Sequence, residues 1–151
     1  MMVARRILLV EDNAGDEAMT LRALRKSNIE YEISIARDGA ETLRKLFEDD
    51  MNGTPPALVL LDLMLPKISG FEVLRRIRAD QRTRLIPVVV LTSSGQKEDI
   101  LAAYRGGTNA YVQKPVAFAE YAEAVRALGE FWLQFSKPPP EEVPGRGRTA
   151  G

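Results

Sequence analysis

Apolar residues along this chain fall into two alternating patterns, short unbroken runs and longer spaced sets. Three runs are oily throughout: Ile7-Leu8-Leu9-Val10, Leu58-Val59-Leu60-Leu61 and Val88-Val89-Val90-Leu91. A strand with one wet face alternates apolar and polar residues. An unbroken run predicts a strand buried on both faces, as in a parallel sheet covered by helices. Two weaker strands are predicted at Tyr31–Ile35, which alternates, and at Asn109–Gln113, which is short and partly polar. Both suit sheet edges.

Helical spacing fills the gaps. Residues 15–27 place Ala18, Leu21 and Leu24 on one face, and residues 39–50 place Ala40, Leu43, Leu46 and Phe47 together. Asp38 with Glu41, and Ser69 with Glu72, resemble capping boxes, the second opening a helix over 70–80. Residues 96–105 predict a fourth helix, stopped by Gly106-Gly107. The last helix, about 117–136, repeats Phe118, Tyr121, Ala122, Val125, Leu128, Trp132 and Phe135 at helical spacing. Five strand–helix units imply an α/β fold, with a five-stranded parallel sheet and helices on both faces. Oily strands inside and half-wet strands outside give the sheet order 2-1-3-4-5, the flavodoxin-like order.

These elements form one domain over residues 4–136, a size that 151 residues can support. The remainder, residues 137–151 (KPPPEEVPGRGRTAG), carries prolines, glycines and charges without apolar anchors and is expected to be disordered. The connection Asp49–Pro56 is long, and is read either as a surface loop or as a partner contact.

Composition narrows the chemistry. The chain has no cysteine and no histidine, which removes disulfides, thiol chemistry, serine–histidine triads and nitrogen- or sulfur-ligated metals. Any metal must be held by oxygen, which favours magnesium, manganese or calcium. Lys plus Arg and Asp plus Glu both number 21, so no overall field favours nucleic acid or an anionic membrane. The basic residues Arg22, Arg25, Lys26, Lys97 and Arg105 are read as solvated helix faces. No apolar run reaches membrane-spanning length, and a cytoplasmic location is expected.

In this strand order, ligands sit beyond the carboxyl ends of the strands, at the switch point between strands one and three. Strand one ends in Glu11-Asp12, strand three in Asp62, strand four in Thr92-Ser93-Ser94, and strand five in Lys114-Pro115. Carboxylates about 4 Å apart repel by roughly 4 kcal/mol at an effective dielectric near 20. Three of them must share protons or bind a cation, and an oxygen-only cluster suits Mg²⁺. Lys114 reads as a point charge for an incoming anion. Asp62, on the middle strand, is the candidate nucleophile, able to form an acyl phosphate.

Four ordered motifs resemble the receiver domain of two-component response regulators: VEDN at 10–13, LLDLMLPKISG at 60–70, VVVLTSSG at 88–95 and YVQKP at 111–115. The resemblance covers roughly residues 4–135. It implies Asp62 as phosphoacceptor, with Asp12 and Asp62 as Mg²⁺ ligands. Glu11 would act mostly through water, and the Met64 carbonyl would complete the metal's protein ligands. It also implies Thr92 as the switch hydroxyl, Lys114 as the phosphoryl-binding lysine and Tyr111 as the aromatic that turns inward when the hydroxyl moves. A cis Lys114–Pro115 bond belongs to the same pattern. Glu11 departs modestly from the family, where aspartate is common.

The resemblance further implies a sensor histidine kinase as partner, since this chain has no histidine to donate the group. The stand-alone form, VEDNAGDE, the extended loop before Leu58 and the FWLQF ending resemble regulators of bacterial phytochrome kinases. Phe131, Trp132 and Phe135 are expected either to project as a homodimer interface or to fold back over the domain. The competing reading is an aspartate-nucleophile phosphatase, which would need an acid/base residue where Met64 stands. A flavin carrier is disfavoured because Glu11-Asp12 would repel its phosphate.

Overall fold

The structure, a computed structural model, describes residues 5–27, 29–48, 55–114 and 117–140. Five strands and five helices alternate along the chain. They are β1 (Arg5–Val10), α1 (Ala14–Arg25), β2 (Tyr31–Ala36), α2 (Gly39–Phe47), β3 (Leu58–Leu61), α3 (Gly70–Ala79), β4 (Val88–Thr92), α4 (Lys97–Arg105), β5 (Ala110–Gln113) and α5 (Phe118–Glu130). All strand pairs are parallel, in the order β2-β1-β3-β4-β5. The expected fold class and edge strands are therefore borne out.

The oily strands are oily because both faces are covered. Ile7 and Leu9 of β1, with Leu58, Leu60, Val89 and Leu91, point to one side. There they pack against Ala23 and Leu24 of α1 and Tyr121 and Val125 of α5. Leu8, Val10, Val59, Leu61 and Val88 point to the other side, against Val73, Leu74 and Ile77 of α3. Each such side chain taken from water contributes about 1.5–3 kcal/mol.

Several local expectations need correction. The buried face of α1 is Thr20, Ala23 and Leu24, and Ala18 is exposed. Phe118 is also exposed, lying under the Arg22 guanidinium at 5.4 Å. The capping boxes form only by half. Asp38 and Ser69 accept the expected N–H groups of Glu41 and Glu72, at 2.7 and 3.3 Å. The reciprocal arm of each is diverted: the Glu41 carboxylate takes the Arg37 N–H, and Glu72 pairs with Arg75 and Arg76. Asn109 precedes β5 instead of opening it. Its side-chain oxygen accepts from the Val88 N–H and from Arg78.

The last helix does not run unbroken to 136. After Glu130 it widens into a π-helical turn, Phe131–Phe135. The wider turn rotates Leu133 inward, where it is buried, and sets Trp132 partly against the core. Phe131 and Phe135 remain outside, 51% and 68% exposed. Arg5, at the start of β1, donates to the Trp132 carbonyl, so this turn sits at the opposite end of the sheet from the strand carboxyl ends. Asp49–Thr54, Pro115 with its preceding peptide bond, and residues 141–151 lie outside the described residues.

Candidate functional site

The sheet aims its site residues by extending its ladder one residue past each strand. The Glu11 N–H donates to Ala36 O at 3.0 Å, the Asp62 N–H to Val10 O at 3.1 Å, and the Lys114 N–H to Thr92 O at 2.7 Å. These side chains therefore leave from paired backbone and converge above the carboxyl ends of β1, β3, β4 and β5. Space for the turn after β3 depends on Gly70. A Cβ there would run into the Asp62 carbonyl and the Leu63 backbone.

Lys114 bridges the cluster. Its Nζ donates to Glu11 Oε1 at 2.6 Å, Asp16 Oδ2 at 2.9 Å and Asp62 Oδ2 at 3.1 Å. The other Asp62 oxygen, Oδ1, accepts the Met64 N–H at 3.0 Å, which fixes the carboxylate plane. The second Glu11 oxygen accepts from the Asn13 N–H at 3.2 Å. Glu11 is buried, and burial pushes its carboxyl up to about 7. The Lys114 ammonium opposes that rise, and the negative charge of Asp62 adds to it. For Lys114, burial acts to lower the pKa. Hydrogen bonds to Glu11 and Asp16, with the charges of Asp62 and Glu11, outweigh it and raise the ammonium above its ordinary value.

Three carboxylates thus hold one ammonium, and Asp12 lies exposed at the rim. Oxygens of Glu11, Asp12 and Asp62 all lie within 4.8 Å of one another. Opposite ligands of an octahedral Mg²⁺ stand about 4.2 Å apart. The donor set is all oxygen and needs only a small closure, so these residues fit a hard divalent ion.

Thr92 ends β4, next to the end of β3. Its hydroxyl is buried and, among the described residues, has no hydrogen-bond partner. Such an orphan costs about 1–3 kcal/mol. Tyr111 is half-buried against Leu63, Val90 and Ala103, and its hydroxyl donates to Ser94 O at 2.8 Å. Met64 is 61% exposed, so its side chain leaves the site and its backbone stays in it. Of the predicted residues, Glu11, Asp12, Asp62 and Lys114 come together, Thr92 and Met64 adjoin them, and Tyr111 flanks them through Ser94. Phe131, Trp132 and Phe135 lie at the far end of the sheet.

Sequence reasoning missed Asp16. Its signal was present: it lies four residues past Asp12, in the first turn of a helix that opens at the site. It also missed the bond from the Ser94 hydroxyl to Asp99, which ties the β4–α4 loop to α4.

Comparison with known proteins bears on the chain as a whole. The family model described as response regulator receiver domain matches residues 7–126. The probable methanogenesis regulatory protein FilR2 of Methanothrix harundinacea is 40% identical over 134 residues, covering 88% of this chain and 86% of that protein. Response regulator Rcp1 of Synechocystis is 38% identical over 130 residues, covering 85% and 88%. The Mn²⁺-bound structure of Rcp1 superposes with a TM-score of 0.83 at 36% identity, over 90% of this chain and 99% of that one. The phosphorylated cyanobacterial phytochrome response regulator RcpA superposes with a TM-score of 0.85 at 36% identity, over 91% and 100%. Sheet order, strand-end acids and these matches all lead to one assignment: the chain belongs to the response regulator receiver domain family.

Proposed function

We propose that this chain is a phosphorylation-operated switch in which Asp62 accepts a phosphoryl group from a phosphohistidine on a separate sensor kinase. The observation that carries the reading is the pairing of Asp62 and Lys114 beside the buried, unpartnered Thr92 hydroxyl. Asp62 supplies a nucleophile, Lys114 a cation for the transferred group, and Thr92 a donor that lacks an acceptor until phosphoryl oxygens arrive. In the transfer, the donor's P–N bond breaks and a P–O bond forms at the Asp62 carboxylate. The imidazole leaves with the bonding electron pair and takes a proton from solvent.

Glu11, Asp12 and Asp62, with the Met64 carbonyl, would hold Mg²⁺. When bound, it neutralises the carboxylates and the charge on the transferring oxygens. The chain's own residues do the rest. The Met64 N–H keeps the Asp62 carboxylate in plane, and Lys114 exchanges its bonds to Glu11 and Asp62 for the phosphoryl group. Thr92 then turns toward that group, and Tyr111 gives up its bond to Ser94 and fills the space that Thr92 vacates. This carries the change to the face of α4, β5 and α5. Coupling of about 1–3 kcal/mol suffices for such a shift.

The likeness to RcpA, a cyanobacterial phytochrome response regulator, supports a bacterial phytochrome kinase as the donor. Transfer from such a kinase should outpace transfer from unrelated histidine kinases, measured with radiolabelled donors. Equal or slower transfer removes the phytochrome assignment. A cytoplasmic location goes with a donor recharged by ATP. Among the described residues no helix is long and apolar enough to cross a membrane. The exposed rings of Phe131 and Phe135 support homodimer formation through the end of the last helix. The phosphatase alternative lacks its acid/base residue, since a thioether at Met64 transfers no proton.

A further inference from the structure

The Lys114 ammonium has three N–H bonds to donate, and Glu11, Asp16 and Asp62 take them. Asp16 differs from the other two. It lies outside the group of Glu11, Asp12 and Asp62, whose oxygens are close enough to share a divalent ion. Such an ion would draw on Glu11 and Asp62, two of the three acceptors, and would leave Asp16 to the ammonium. Asp16 is also held in place by its own helix. Its N–H donates to Asn13 Oδ1 at 2.8 Å, and its carbonyl accepts the Thr20 hydroxyl at 2.9 Å. That hydroxyl lies 2.5 Å from the buried Tyr121 hydroxyl of α5. The first turn of α1 is thus pinned to the core at the point where Asp16 leaves it.

Lys114 is the opposite case. Its backbone is tied to β4, but its charge rides on a four-carbon stem with many rotamers. An ammonium that must meet a phosphoryl oxygen at Asp62 acts best if its position is set beforehand. We infer that Asp16 is a positioning residue for phosphoryl transfer, anchoring the Lys114 ammonium from the α1 side and holding it at Asp62 while a divalent ion occupies the other carboxylates. This rests on Asp62 being the acceptor. It also opposes simple electrostatics: Asp16 repels an anionic donor, so its removal would speed loading if charge alone mattered.

The test compares wild type, Asp16→Ala, Asp16→Asn, Lys114→Ala and the Asp16→Ala/Lys114→Ala double variant, with acetyl phosphate as donor and Mg²⁺ saturating. The saturating rate should fall about tenfold in Asp16→Ala, the size of one lost charge-assisted hydrogen bond. It should fall less in Asp16→Asn, whose amide oxygen still accepts. Adding Asp16→Ala to Lys114→Ala should change the rate no further. An unchanged or faster rate in Asp16→Ala, or full additivity in the double variant, overturns the inference.

A second measurement needs no phosphoryl group. In ¹⁵N-lysine-labelled protein with Mg²⁺, the Lys114 ammonium should give a slowly exchanging signal that disappears in Asp16→Ala. Persistence of that signal also overturns the inference. Failure of the wild type to take up phosphoryl would count against Asp62 as acceptor, and the ammonium signal would still decide the role of Asp16.

Discussion

Glu11 shows how one residue can carry both the fold and the site. Its backbone extends the β1–β2 ladder, while its carboxylate is buried beside Asp62 and Lys114. Burial raises its pKa from 4.5 to about 7, so the folded chain binds this proton more tightly than the unfolded chain. The stability it contributes is fully present below about pH 4.5 and is lost as pH rises through about 7. Urea denaturation in EDTA should therefore show stability declining across that window, with the decline absent in Glu11→Gln. A flat wild-type profile would refute the account of Glu11. The acids at the strand ends were legible in the sequence because each directly follows an oily run. Asp16 carried only its spacing from Asp12, and a lone acid in a helix reads as solvated until the lysine that reaches it is placed.

At the scale of elements, unbroken apolar runs identified the inner strands, and mixed runs the edges. That worked because burial on both faces leaves no polar position in the strand. Helix faces were read less well. Ala18 fits the helical period of α1 yet is exposed, because small residues carry too little apolar area to fix a face. Phe118 fits the period of α5, but its ring covers the solvent side under Arg22. The π-helical turn after Glu130 leaves no mark in a 3.6-residue pattern, so the rotation of Leu133 inward could not be foreseen.

Arg78 was equally hidden. From α3 it donates to the carbonyls of Gly107, Arg84 and Ile86 and to Asn109 Oδ1, clamping the end of the sheet opposite the site. Gly107 lies at φ 102°, where a side chain would be strained and would meet Arg78. Arg78→Ala should cost about 3 kcal/mol in urea denaturation, because several carbonyls lose a charged donor. It should leave phosphorylation at Asp62 intact in protein that remains folded. A loss under 0.5 kcal/mol, the range of ordinary surface substitutions, would show that the clamp is not structural.

For the whole molecule, the parallel sheet places chemistry at one end and the aromatic turn at the other. Light scattering at high concentration, with and without beryllofluoride, tests the second end. A dimer lost in Phe131→Ser/Phe135→Ser supports the interface, and a monomer throughout removes it. The first end holds the central claim, that Asp62 becomes the phosphoryl carrier of a metal-assisted site. Intact-mass spectrometry after incubation with acetyl phosphate tests it most directly. Wild type with Mg²⁺ should gain the mass of one phosphoryl group, and EDTA or Asp62→Asn should abolish the gain. An equal gain in Asp62→Asn, or full uptake in EDTA, would contradict the account.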